Sequence, residues 1–203
     1  MPFQVAEYIN KKKVKFAKPL KDLQVLDLCA GCGVVGFETF FHLKVIRNVD
    51  FVEIQPTYQS YFEQNKKMIS EIEKEKSPEE NFNFNFHLMN YEELIDNSDF
   101  KNKYDLIVSN PPYFVKEQGT QSQNVLKNRS RFFMDSNFPK LIETISFVLR
   151  QQGHAFLLVS SLNSHKIDLI QEARNLCEKL MVDIEIADTV RGTNLLHIFK
   201  KKL

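Results

Sequence analysis

Apolar runs of strand length alternate with amphipathic helical patterns along most of this chain. The alternation breaks only near the end, where two strand-like runs follow one another. Strands are expected near 24–28, 49–54, 82–89, 104–109 and 153–160, with helices near 34–43, 57–74, 136–150 and 164–179. Such alternation marks βα units around a largely parallel sheet. The last two runs, 182–187 and 195–200, flank the turn-prone stretch 188–194 and predict an antiparallel hairpin. The expected fold is therefore α/β, with a mostly parallel, Rossmann-like sheet of seven strands closed by an antiparallel pair. A dinucleotide-binding domain would instead finish on another parallel strand. A length of 203 residues suits one domain, 1–203, in which 1–22 form a lead-in to the first strand. "EKEKSPEEN" (73–81) reads as a charged surface loop, and "NFNFNF" as one strand with Phe on its buried face.

Composition narrows the class. Apolar content of 43% with 26% charged residues is ordinary for a soluble globular protein, although 18 Phe with no Trp is a skewed choice of core filler. No apolar run approaches the ~20 residues needed to cross a bilayer. The first twenty residues lack the apolar stretch of a signal peptide, so a cytoplasmic protein without membrane contact is expected. With three cysteines and no export signal, structural disulfides are not expected. A net charge of +1 leaves a nucleic-acid partner open, since binding needs a local basic patch rather than a global excess.

"LDLCAGCGVVG" (26–36) holds two patterns at once, C-x-x-C at Cys29 and Cys32 and G-x-G-x-x-G at Gly31, Gly33 and Gly36. A zinc site needs four ligands at tetrahedral spacing, and the sequence offers only the distant Cys177 beyond this pair. A thioredoxin-like pair should open a helix without glycines packed this tightly, so neither metal nor redox chemistry is expected. The glycine pattern fits its surroundings better. A strand delivers Asp27 to its carboxyl end, and a glycine turn leads straight into an apolar helix. Without Cβ atoms at Gly31 and Gly33 the backbone can approach a ligand, and the helix N-terminus offers free N–H groups. Glu53 falls at the end of the next strand, 22 positions after Gly31, where a carboxylate can accept both ribose hydroxyl hydrogens of an adenosine.

The second motif is "YDLIVSNPPYF" (104–114), a strand ending in Asn110, Pro111, Pro112, Tyr113 and Phe114. A Pro-rich turn alone would mean little, but this one closes the fourth strand beside the first, facing the crevice where the sheet order reverses. An exocyclic adenine amine or a carboxamide is a poor nucleophile because its lone pair is delocalised. Two acceptors, the Asn110 side-chain oxygen and the Pro111 carbonyl, would localise that pair and aim it at a sulfonium methyl. The two prolines keep the turn rigid, and Tyr113 offers a ring to stack on a planar base.

With both motifs in place, the sequence resembles the N-P-P-Y group of S-adenosylmethionine-dependent amino-methyltransferases. Within that group it is most similar to the bacterial tRNA1(Val) adenine-37-N6-methyltransferases, from about Val25 to the C-terminus. The resemblance implies a class I methyltransferase fold and S-adenosyl-L-methionine as cofactor. It places Asp27 and the backbone of Cys29, Ala30, Gly31 and Gly33 at the methionine end and Glu53 with Ile54 at the ribose. Asn90 with Tyr91 falls at the adenine, and Asn110 reaches cofactor and target alike. Asn110, Pro111, Pro112 and Tyr113 would form the catalytic turn, with Tyr113, Phe114, Arg129 and Arg131 toward the substrate. Two departures stand out. The family usually carries Asp where Asn90 stands, and a preceding "Y-x-F-S-x-D-S-x-L-L-A" segment that forms a cofactor lid is represented only by "PFQVAEYI" (2–9).

The acceptor expected is RNA, a tRNA anticodon-loop adenine that is already unstacked and so avoids the extrusion of a paired base. Basic clusters at 11–13 with Lys15 and Lys18, at Lys127, Arg129 and Arg131, and at 200–202 could follow a phosphate backbone, although each alone is better explained as a solvated face or a frayed terminus. Release-factor glutamine methyltransferases share N-P-P-Y but place a helical domain before it, and a glutamine acceptor is the alternative. A nicotinamide-dependent dehydrogenase would leave N-P-P-Y-F unexplained. A non-catalytic partner of the same fold would be expected to have lost one of the two motifs. The five histidines lack ligand spacing and are assigned no chemistry.

Overall fold

A computed structural model of the chain describes residues 2–12, 14–43, 46–114, 120–160, 168–190 and 192–201. Its strands are β1 (Gln24–Leu28), β2 (Asn48–Glu53), β3 (Asn83–Leu88), β4 (Tyr104–Ser109), β5 (Leu149–Ser160), β6 (Val182–Val190) and β7 (Thr193–Lys200). Its helices are α1 (Pro2–Lys12), α2 (Val34–Leu43), α3 (Thr57–Lys76), α4 (Val125–Arg131), α5 (Phe138–Val148) and α6 (Leu169–Lys179). Among the described residues the seven strands form one sheet in the order β3-β2-β1-β4-β5-β7-β6. Pairing is parallel from β3 through β5 and antiparallel for β5–β7 and β6–β7, so the expected terminal hairpin is present.

Central strands buried on both faces need apolar side chains at nearly every position. On one face Leu26, Leu28, Ile107 and Leu157 pack under α5 and α6; on the other Val25, Leu106, Val108 and Phe156 meet α1, α2 and α3. The second core explains the surplus of phenylalanine. Phe37 of α2 and Phe62 of α3 close on Phe51 of β2 with ring centroids 4.7 Å away, and Phe84 of β3 approaches Phe37 edge-on at 5.2 Å. Phe82, Phe84 and Phe86 all reach this cluster, as the alternation predicts.

Several boundaries differ from the sequence expectation. Helix α3 runs to Lys76, taking in the first four residues of the supposed loop, and β5 begins at Leu149, which pairs with Tyr104, rather than at Gly153. The final helix begins at Leu169, where the Asp168 carboxylate caps the N–H groups of Ile170 and Gln171; the expected stretch 164–167 lies outside the described residues. Neither α1 nor α4 was signalled by periodicity. Asn124 caps α4 by accepting the Lys127 N–H, and α1 buries Val5, Ala6 and Ile9 beside α2. Tyr8 of α1 donates to Glu185, which also meets His197, and His197 meets His154 at 2.9 Å. Burial, with His197 adding to it, holds the His154 imidazole down to about 4 despite the Lys15 carbonyl. Among the described residues no helix is long and apolar enough to cross a membrane.

Candidate active site

The carboxyl ends of β1 to β4 open into a cleft of about 320 Å³, where the sheet turns outward in opposite directions from β1 and β4. The chain leaves β1 through a turn that takes Cys29, Gly31 and Gly33 to φ 59°, 55° and 85°. The two glycines serve different ends. A Cβ at Gly33 would lie 2.7 Å from the Phe37 ring and 3.0 Å from Phe62, so this residue lets the turn sit on the aromatic core. A Cβ at Gly31 would meet nothing within 4 Å, because that side of the backbone faces the cleft.

Two backbone donors of this turn and helix start, the Gly31 and Gly36 N–H groups, are engaged by the protein's own carboxylates. Gly31 N–H donates to Glu53 Oε2 at 2.9 Å, Gln55 N–H to Glu53 Oε1 at 2.8 Å, and Gly36 N–H to Asp27 Oδ2 at 2.7 Å. Glu53 is 6% exposed, and burial raises its carboxyl above the ordinary range while these N–H bonds pull it down. Asp27 lies beneath the turn at 0% exposure, and among the described residues its Oδ1 has no hydrogen-bond partner. Burial, with the nearby Glu53 charge, pushes its carboxyl up to about 8 even though Gly36 opposes the rise.

The wall beyond Glu53 is built where the chain leaves β3. Asn90 caps a 3-10 turn over Tyr91–Leu94, its Oδ1 accepting Glu92 N–H at 3.2 Å and its Nδ2 donating to the Asp135 carbonyl at 3.0 Å. The Tyr91 hydroxyl donates to the Asn137 carbonyl at 2.9 Å. Across the cleft, the Ser109 hydroxyl ties the end of β4 to Leu28 O at 2.7 Å, and Asn110 follows, exposed. The Tyr113 hydroxyl donates to Asn110 Oδ1 at 2.6 Å. Backbone bonds brace this turn: Tyr113 and Phe114 N–H both reach the Arg131 carbonyl, and Phe133 N–H reaches Phe114 O. The Arg131 guanidinium lies over the Phe114 and Phe132 rings at 6.0 and 5.6 Å. Helix α4 roofs the cleft, joined to α3 by the Tyr58–Ser130 hydroxyl pair at 3.0 Å and to the next loop by Arg129–Asp135 at 2.9 Å.

Of the residues expected at the site, Cys29, Ala30, Gly31, Glu53, Ile54, Asn90, Tyr91, Asn110, Pro112 and Arg129 line this one cleft. Asp27, Gly33, Tyr113, Phe114 and Arg131 stand behind or beside it and act on the wall through the contacts above, and Pro111 joins the two lining residues Asn110 and Pro112 without lining the cleft itself. No described residue of α1 lines it; Val5, Ala6 and Ile9 of that helix are buried in the core beside α2. Cys29 and Cys32 are free thiols; burial raises the Cys29 thiol, and the Cys32 carbonyl accepts Asn65 Nδ2 at 2.9 Å. Among the described residues no cluster of three or more His, Cys, Asp or Glu side chains could hold a metal ion. Sequence reasoning missed Tyr58 and the 132–136 segment of the wall. The asparagine cap at 137 ahead of Pro139 signals that a loop must precede α5, but not that it folds back over β3.

Comparison with known proteins adds three findings. A family model described as Eco57I restriction-modification methylase matches residues 9–186. A tRNA1(Val) (adenine(37)-N6)-methyltransferase of Shewanella sediminis (strain HAW-EB3) is 34% identical over 96 residues, 47% of this chain and 38% of that protein. A protein of the same name from Cytophaga hutchinsonii is 40% identical over 60 residues, 29% of this chain and 24% of its own length. The aligned segments thus span well under half of these relatives. Among solved structures, a ribosomal protein L11 methylase from Lactobacillus delbrueckii subsp. bulgaricus superposes with a TM-score of 0.59 at 16% identity, covering 98% of this chain and 78% of that one. A precorrin-6y C5,15-methyltransferase from Geobacter metallireducens GS-15 gives 0.55 at 14% identity, over 97% and 87%. The architecture is that of the class I methyltransferases.

Proposed function

The chain belongs to the Eco57I restriction-modification methylase family, and on that premise we propose that it transfers a methyl group from S-adenosylmethionine to the N6 amine of an adenine in RNA. The favoured target is a tRNA anticodon-loop adenine, the substrate class in the names of the curated relatives. We read residues 1–203 as one cytoplasmic methyltransferase domain. The observation that carries this reading is that Asn110, an exposed amide after β4, shares one cleft with Glu53 and the open face of Gly31.

The cleft fits the cofactor. The Gly31 backbone leaves room for a ligand where a Cβ would stand, and each Glu53 oxygen, having accepted one N–H, keeps a lone pair for a ribose hydroxyl. When bound, the cofactor supplies an electrophilic sulfonium methyl. Asn110 Oδ1 and the Pro111 carbonyl would accept the two amine hydrogens and localise the nitrogen lone pair. The Tyr113 ring would stack on the base, with Phe114 behind it and Arg131 fixed over the Phe114 and Phe132 rings. No strong base is needed, because the amine proton becomes acidic only after attack and leaves to solvent. Lys127 and Arg131 belong to α4, the helix that contributes Arg129 and Ser130 to the cleft, and would meet phosphate.

Incubation with labelled S-adenosylmethionine and total RNA, genomic DNA or release factor, followed by identification of the product, tests the reading. N6-methyladenine in RNA is expected. Label on a release-factor glutamine would move the acceptor to a carboxamide, and label confined to DNA would overturn the RNA substrate.

A further inference from the structure

We infer that Asp135 reads the 6-amino group of the cofactor's adenine and selects it against a 6-oxo purine; the inference rests on the nucleoside reading of the cleft. A nucleoside with its ribose at Glu53 would turn its base toward Ile54, Met89 and Asn90, which line the same cleft. An adenine edge there presents an NH₂ group and needs an acceptor. Asn90 is committed elsewhere: Oδ1 accepts the N–H groups of Glu92 and, in a capping box, of Glu93, Nδ2 donates to the Asp135 carbonyl, and its own N–H is held by Glu93 at 2.7 Å. Turning that amide toward a base would undo the cap of the 91–94 turn. The neighbouring acids Glu92 and Glu93 do not line the cleft; Glu93 turns back to the Asn90 N–H and Glu92 to the Ser136 hydroxyl.

Asp135 lines the cleft with its side chain 24% exposed. Its carbonyl is stitched to Asn90, and Arg129 Nη2 anchors Oδ1 at 2.9 Å, so the carboxylate is fixed on the wall rather than swinging in solvent. It lines the same cleft as Glu53, and its charge adds to the rise in that carboxyl's pKa. A carboxylate accepts hydrogens and donates none, so it welcomes a 6-amine and opposes a 6-carbonyl oxygen. Arg129 becomes a positioning residue for Asp135.

Calorimetry with S-adenosylhomocysteine and its inosine counterpart tests this. The wild type is expected to prefer the adenine form by about 10²-fold or more, since a site built to bond one polar group rejects the analogue lacking it. Asp135→Asn, whose amide can turn either an oxygen or an NH₂ toward the base, should weaken the adenine form by about tenfold or more and bring the two ligands within a few-fold of each other. Asn90→Ser, which keeps a capping side chain, should shift both affinities alike and leave their ratio unchanged. Loss of both ligands in equal proportion in Asp135→Asn, or an unchanged ratio, would assign Asp135 a structural role only and overturn the inference. A wild type that binds neither ligand would overturn the nucleoside reading itself, a result distinct from either.

Discussion

The Tyr113 hydroxyl and Asn110 Oδ1 stand 2.6 Å apart, so the acceptor that methyl transfer would use is already held by the residue three positions on. An amide oxygen has two acceptor directions. Tyr113 takes one and thereby fixes the amide rotamer, leaving the second for a target amine. Tyr113→Phe keeps the ring and frees the amide, so turnover should fall by about 3- to 10-fold, the scale of one net hydrogen bond, with KM for RNA unchanged. Tyr113→Ala should add a KM increase equivalent to roughly 1–3 kcal/mol of lost base stacking. Asn110→Ala should lower turnover by ~10²–10³ while cofactor binding stays intact. Steady-state kinetics on methylated RNA separate the three, and full activity in Asn110→Ala would sink the mechanism.

Gly31 and Gly33 make a matched pair for a second prediction, because both have positive φ but only Gly33 faces packed side chains. Gly33→Ala combines left-handed strain with a methyl 2.7 Å from Phe37, and should cost about 2–5 kcal/mol of stability. Gly31→Ala carries only the backbone strain, about 1–2 kcal/mol, and should fold. Its methyl would stand in the cleft, so affinity for S-adenosylhomocysteine should drop at least about tenfold, the loss expected when a group intrudes where backbone must approach ligand. Thermal melts with calorimetry read both effects. Unchanged affinity in a folded Gly31→Ala would remove that face of the turn from the site.

What the sequence made legible here is what local chemistry dictates. Strand, glycine turn, helix and acid between Gln24 and Glu53 form a contiguous unit, and Asn110 ends a strand that must lie beside it, so their meeting in one cleft follows from topology alone. Contacts that depend on long-range return of the chain were not legible. Asp135 reaches Asn90 across 45 positions and His154 meets His197 across 43, and no periodicity announces either. The five histidines therefore looked scattered although β5–β7 pairing brings two of them together. Helix α1 escaped notice because its buried stripe, Val5, Ala6 and Ile9, is short and gains stability only by packing on α2.

Glu53 holds two backbone N–H groups as well as its proposed ligand, so its removal should register twice. Glu53→Ala leaves the Gly31 and Gln55 donors unpaired, at about 1–3 kcal/mol for each that water cannot reach. Loss of the charge-assisted ribose contact should weaken S-adenosylhomocysteine by a further 1.5–3 kcal/mol, on the order of a hydrogen bond to a charged group. Denaturant midpoints give the first quantity and calorimetry on the folded fraction the second. A variant that loses stability but binds the ligand with wild-type affinity would confine Glu53 to a structural role.

Asp27 should tilt the stability of the fold against alkaline pH. Burial, with the Glu53 charge, lifts its carboxyl from 3.8 to about 8, so between those values the folded chain keeps a proton that the unfolded chain has released. Its contribution is fully present below the unfolded value and is lost as pH rises toward about 8. The slope is at most ~1.4 kcal/mol per pH unit for one proton. His154 tilts the other way at lower pH: its imidazole is held to about 4 against 6.5 when free, so stability from its neutral form is present above 6.5 and lost as pH falls toward 4. Asp27→Asn cannot ionise yet keeps an oxygen for the Gly36 N–H, and His154 is common to both proteins and cancels in their difference. Urea midpoints taken from pH 5 to 9 should therefore show the variant gaining on the wild type as pH rises, with the gain levelling off above about pH 8. Parallel curves for the two proteins would mean that Asp27 is ionised in the native fold, and that its buried Oδ1 has a partner.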